Sequence, residues 1–134
     1  MRKSILCFLV LVLFVSAQTQ FKFTVEKEMS KGEAEVKIEG KTFDEVWKGV
    51  TRALMARKFQ IKESDKDGGI IYAQVRPGAF YEEGDLLTSW QLMIDEDEGK
   101  IQIYIRVALG TDAISAKKPF QKFCEKLEEI LEEK

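Results

Sequence analysis

Residues 100–109, KIQIYIRVAL, alternate without a break: Ile101, Ile103, Ile105, Val107 and Leu109 hold one parity, and Gln102, Tyr104 and Arg106 the other. Side chains on a strand have period two, so the apolar set predicts a strand with one face on a core. The same alternation predicts a strand in GEAEVKIEG, where Ala34, Val36 and Ile38 share a face. It predicts others in FQIKES from Phe59, in GIIYAQVR up to Pro77-Gly78, and in TSWQLMID, where Trp90, Leu92 and Ile94 fall together. Residues 18–31 alternate through Phe21, Phe23 and Val25 and admit two readings, an extra edge strand or a leader.

Two stretches follow a helical period instead. Thr42-Phe43-Asp44-Glu45 matches a capping box, and Phe43, Val46, Trp47, Val50 and Leu54 then recur at intervals of three and four. That helix is expected to end near Arg57. A second apolar stripe, Phe120, Phe123, Cys124, Leu127, Ile130 and Leu131, predicts a final helix, with Pro119 expected in its first turn. Turns are expected at Ser30-Lys31-Gly32, Asp65 to Gly69 and Asp95 to Gly99.

The order is β-α-β-β-β-β-α, and each element has one apolar face. The fold expected is therefore α+β, a two-layer sandwich: an antiparallel sheet of about five strands with both helices on one side.

The first residues change the picture of where the chain works. Arg2 and Lys3 precede an apolar run from Ile5 to Val15, and Val15-Ser16-Ala17 supplies the small residues of a cleavage site. This predicts a signal peptide over 1–17 and an exported protein, periplasmic or extracellular. The run is shorter than the roughly 20 residues a spanning helix needs, so no membrane span is expected after cleavage, a retained anchor being the other reading. The organisation expected is signal peptide 1–17, leader or edge strand 18–31, and a single domain 32–134.

Charge and composition narrow the chemistry. Losing Arg2 and Lys3 takes the formal net charge from −2 to −4. Phosphate neutralisation by Lys and Arg carries most non-specific nucleic-acid binding, so a nucleic-acid partner is not expected. The chain has no histidine, which removes the commonest general base and transition-metal ligand. Cys124 follows Phe123 on an apolar stripe and reads as a core thiol. The acidic runs Glu82, Glu83, Asp85 and Asp95–Glu98 read as solvated turns. No cofactor, metal or catalytic residue is expected, and the protein is not expected to be an enzyme.

The stretch TFDEVWKGVTRALMARKFQIKESDKDGGIIYAQ resembles small exported bacterial proteins, many uncharacterised and some of them envelope lipoproteins, with a TBP-like β-α-β4-α domain. The resemblance implies that fold and a place in the cell envelope. Cys7 lies near the start of the apolar run rather than after it, so the lipid anchor of such lipoproteins is not implied. Nor is the nucleic-acid role of the eponymous fold, because fold does not carry function.

If the isoleucines of 101–105 face the helices, the other parity lines an open face. It collects Tyr72, Gln74 and Arg76, then Ser89, Gln91 and Met93, then Gln102, Tyr104 and Arg106. The segment PGAFYEEGDLLTSW adds Phe80 and Tyr81 in a loop over 77–89. One reading is a solvated face of ordinary strand formers. The other is a binding surface, since Tyr and Arg are enriched at hot spots. The function expected on that second reading is a non-enzymatic envelope domain that binds another envelope macromolecule, a protein or other polymer, through this face and loop. The alternative is a small-molecule or lipid carrier with an apolar cavity between sheet and C-terminal helix.

Overall fold

In a computed structural model, residues 20–75, 89–108 and 113–133 are described, apart from the side chains of 75, 108 and 113–116. Six strands and two helices follow in the order β1 (Lys22–Ser30), β2 (Glu33–Glu39), α1 (Phe43–Ala56), β3 (Phe59–Asp65), β4 (Ile70–Val75), β5 (Ser89–Asp97), β6 (Lys100–Ala108) and α2 (Ala113–Glu132). The strands form one sheet in the spatial order β1-β2-β6-β5-β4-β3, with every neighbouring pair antiparallel. The α+β architecture expected from the pattern is the one observed. The sixth strand is β1, the edge-strand alternative for residues 18–31.

The hairpin turns follow from backbone chemistry. Lys31 and Gly32 have φ of 54° and 78°, and Glu98 and Gly99 have 53° and 78°. Ser30 pairs with Glu33 and Asp97 with Lys100, so each turn has two residues, both left-handed, as the twist of a hairpin favours. The predicted turn from Asp95 to Gly99 was therefore too long. Asp95, Glu96 and Asp97 continue β5, because a two-residue loop already closes the hairpin.

Helix α1 starts on the predicted box. The Glu45 amide donates to Thr42 Oγ1 at 3.1 Å, and the Thr42 amide donates to Glu45 Oε1 at 2.9 Å. Its inner side buries Val46, Val50, Ala53 and Leu54. Gly49 lies where the helices meet: a Cβ there would stand 2.9 Å from Leu131 Cδ2, on α2. Pro119 does not open α2 as expected. The helix begins at Ala113, and the proline sits inside it. Inside a helix proline removes the bond its own N–H would make one turn back and crowds the carbonyl there, and the stripe that follows Pro119 is held by packing. Phe120, Phe123, Leu127 and Leu131 are all buried.

Helices and sheet share one core. Trp90 sits at its centre, with ring centroids 4.7 Å from Phe59 and 5.7 Å from Phe123, the latter edge-on. Ala34, Val36, Ile38, Ile71, Leu92, Ile101, Ile103 and Ile105 point from the sheet into the same cluster. Both helices thus cover one face of the sheet, and among the described residues no helix covers the other. Among the described residues no helix is long and apolar enough to cross a membrane.

Candidate binding face

The bare face is built by strand parity. On β6, Ile101, Ile103 and Ile105 are buried while Tyr104 and Arg106 are exposed and Gln102 is half-buried. On β5, Met93 is exposed and Gln91 half-buried between buried Trp90, Leu92 and Ile94. On β4, Tyr72 is exposed and Gln74 half-buried. Register then brings these together: Met93 pairs with Tyr104, Gln91 with Arg106, and Tyr72 with Gln91.

Four large apolar side chains are exposed in the described structure, and three of them, Tyr72 (41%), Met93 (47%) and Tyr104 (42%), lie on this face. Scattered surface apolar residues are ordinary, whereas three on adjacent strands of one face form a patch. Gln91 Nε2 donates to the Tyr72 hydroxyl at 3.4 Å, which orients that ring's polar end along the sheet. A shallow depression of about 350 Å³ opens here, lined by Gln91, Met93, Tyr104, Arg106, Glu33 and Glu35 together with the backbone side of Ala34 and Ile105.

Arg76, Phe80 and Tyr81, expected to contribute to the site, lie outside the described residues. So do Glu82, Glu83 and Asp85.

The glutamates of β2 were missed in the sequence. The alternation of GEAEVKIEG puts Glu33, Glu35 and Lys37 opposite Ala34, Val36 and Ile38, so their parity was legible, but their neighbours were not. Only the pairing of β2 with β6 sets Glu33 beside Arg106 and Glu35 beside Tyr104. Arg106 Nη2 reaches Glu33 Oε2 at 3.5 Å, and Lys27 Nζ reaches Glu33 Oε1 at 3.6 Å. Edge strand β1 adds Glu26, at an irregularity between Val25 and Lys27. Gln102 Nε2 donates to Glu26 Oε1 at 2.7 Å, and Lys37 Nζ lies 3.3 Å from Glu26 Oε2. The hydrogen bond from Gln102 and then Lys37 hold the Glu26 carboxyl below the ordinary glutamate value. The face is consequently more charged than the parity of β4, β5 and β6 alone implies.

Elsewhere, Asp65 Oδ1 accepts from the Gly68 amide at 3.2 Å, which is the turn chemistry expected of that run. Lys66 Nζ lies 2.7 Å from Asp44 Oδ1 and ties this turn to the start of α1. Among the described residues no group of three or more Cys, Asp or Glu side chains is placed to hold a metal ion. Cys124 is in the core, where burial pushes its thiol up to about 12.

No protein-family model and no curated protein matches the chain. Among solved structures it is similar to CalU16 from Micromonospora echinospora at 9% identity, covering 84% of this chain and 92% of that one with a TM-score of 0.42. That likeness is too distant to bear on function.

Proposed function

We propose that this protein is a non-enzymatic, exported envelope domain that docks another envelope macromolecule on its open sheet face, with the 77–89 segment that joins β4 to β5 as part of the contact. The observation that carries the reading is the patch of Tyr72, Met93 and Tyr104 on adjacent strands, set among glutamines and rimmed by ion pairs. Aromatic and Met side chains at the centre with a charged rim is the composition of a docking surface. Export rests on the basic, apolar and small-residue order of residues 1–17.

The carrier alternative has less behind it. The volume it needs, between α2 and the sheet, is occupied by Trp90, Phe120 and Phe123, each at most 2% exposed.

The test is a photo-crosslinking amino acid placed at Met93 and, as control, at Glu132 on α2, followed by irradiation of native envelopes. A discrete adduct from position 93 that disappears in Tyr104→Ala, with circular dichroism unchanged, is the expected result. Equal labelling from both positions, or none, removes the proposal. Fractionation of cells expressing the chain with and without residues 1–17 tests export separately.

A further inference from the structure

Each exposed apolar side chain of the face has a carboxylate beside it. Glu35 is the cross-strand partner of Tyr104. Glu63 is the cross-strand partner of Tyr72. Asp95 is the next residue after Met93 on the same face of β5. None of these three carboxylates forms an ion pair with a described residue.

The cations of the face are placed differently. Arg106 and Lys27 both turn to Glu33, and Lys37 turns to Glu26. Among the described residues, the basic groups nearest the apolar patch are thus engaged by acids of the same face, Lys100 stands at the far end of β6 opposite Asp97 and Glu39, and the acids beside the patch are left for a partner. An anionic polymer would meet engaged cations and bare carboxylates. A neutral one would leave those carboxylates without an ion-pair partner.

A lysine or arginine side chain satisfies both halves of each pair. Its aliphatic stem lies along apolar surface while its charged end stays at the polar rim. Its cation is attracted to the face of a tyrosine ring and to a carboxylate at once. Tyr104, Met93 and Tyr72 stand on β6, β5 and β4, three adjacent strands, with Glu35 and Glu63 on β2 and β3 to either side, so a chain crossing the sheet can seat successive basic residues.

We infer that the occupant of the open face is an extended basic polypeptide segment of a partner protein, its Lys or Arg side chains seated on the Tyr104–Glu35, Met93–Asp95 and Tyr72–Glu63 pairs. The inference rests on the docking function proposed above and specifies its partner.

The probes are acetylated, amidated (Arg-Ala)4, its counterpart (Glu-Ala)4, and chitohexaose as a neutral glycan, each titrated into the ¹⁵N-labelled full chain. The basic peptide is expected to shift the amides of 72, 93 and 104 and to bind more weakly as salt rises, because exposed charge attraction is screened. Glu35→Gln and Tyr104→Ala are each expected to weaken it by about two- to five-fold, and Tyr104→Phe, which keeps the ring, to restore binding. Glu128→Gln, on the acidic end of α2, is expected to change nothing.

Shifts confined to the end of α2, affinity indifferent to Glu35 and Tyr104, or binding of chitohexaose at the face in place of the peptide overturns the inference. The crosslink at position 93 separates the two levels. A specific adduct there with no basic-peptide binding removes the basic segment and keeps the docking face, and loss of both removes both.

Discussion

Glu26 Oε1 accepts a 2.7 Å hydrogen bond from Gln102 Nε2, so a side chain of edge strand β1 reaches over β2 to hold β6. Lys37, on the strand between them, meets the other oxygen of the same carboxylate at 3.3 Å. One carboxylate therefore pins three strands on the face that neither α1 nor α2 covers.

That arrangement gives stability an acid limit. Glu26 is held below its ordinary 4.5 by Gln102 first and then by Lys37. Asp44 is held below 3.8 by Lys66, and Glu45 below 4.5 by the Thr42 amide. A carboxyl whose folded value is depressed contributes stability above its unfolded value and loses it as pH falls through the folded one. The melting temperature is expected to hold down to about pH 4.5 and then to fall. Glu26→Gln should flatten part of that fall in thermal scans at stepped pH, and a slope identical to wild type would contradict the role given to Glu26.

Cys124 sets a limit on the alkaline side. Its thiol is raised from 9.0 to about 12 by burial first, with Glu128, Glu28 and Glu125 adding to the effect. A raised thiol stays neutral in the folded protein, so its contribution is whole below pH 9 and erodes as pH climbs toward 12. At pH 8 a Cys7→Ala protein is expected to react with a disulfide reagent only at the rate of opening, and at once in denaturant. Fast labelling of the native protein would show that the thiol is accessible.

Gly69 and Gly99 separate two costs of adding a methyl group. Both have left-handed φ, +70° and +78°. A Cβ at Gly99 meets nothing within 4 Å, so Gly99→Ala should cost only the left-handed penalty, about 1–2 kcal/mol. A Cβ at Gly69 would collide with the carbonyl oxygen of Ile94, whose amide donates to the Gly69 carbonyl at 2.7 Å. Gly69→Ala is expected to cost more, and urea unfolding of the pair reads the difference. Equal costs would mean that the β4–β5 backbone can move apart freely.

Phe123 bears on Trp90 edge-on at 5.7 Å and is fully buried. Phe123→Ala is expected to lose about 3–5 kcal/mol through lost burial and the cavity left behind. Tyr104→Ala, on the bare face, is expected to lose less than about 1 kcal/mol, as surface changes do. Denaturant midpoints for the two variants check whether the layers divide stability from binding in this way. A large loss from Tyr104→Ala would tie that ring into the fold.

What the residues alone determined is whatever depends on near neighbours. The period of two in 100–109 assigned Ile101, Ile103 and Ile105 inward and Tyr104 and Arg106 outward, because alternation is a property of the extended backbone itself. Thr42 and Glu45 marked the start of α1 because the capping bonds span three residues. The rest depended on contacts between distant parts of the chain. Glu33 and Arg106, 73 residues apart, meet because β2 pairs with β6, and Glu26 and Gln102, 76 apart, meet because β2 lies between β1 and β6. Strand order leaves no local trace, since any strand of suitable parity could pair there, so the acids that border the tyrosines stayed out of reach until the sheet was assembled. Pro119 shows the same division: its missing N–H is written in the chain, but whether a helix continues through it is settled by packing of the stripe that follows.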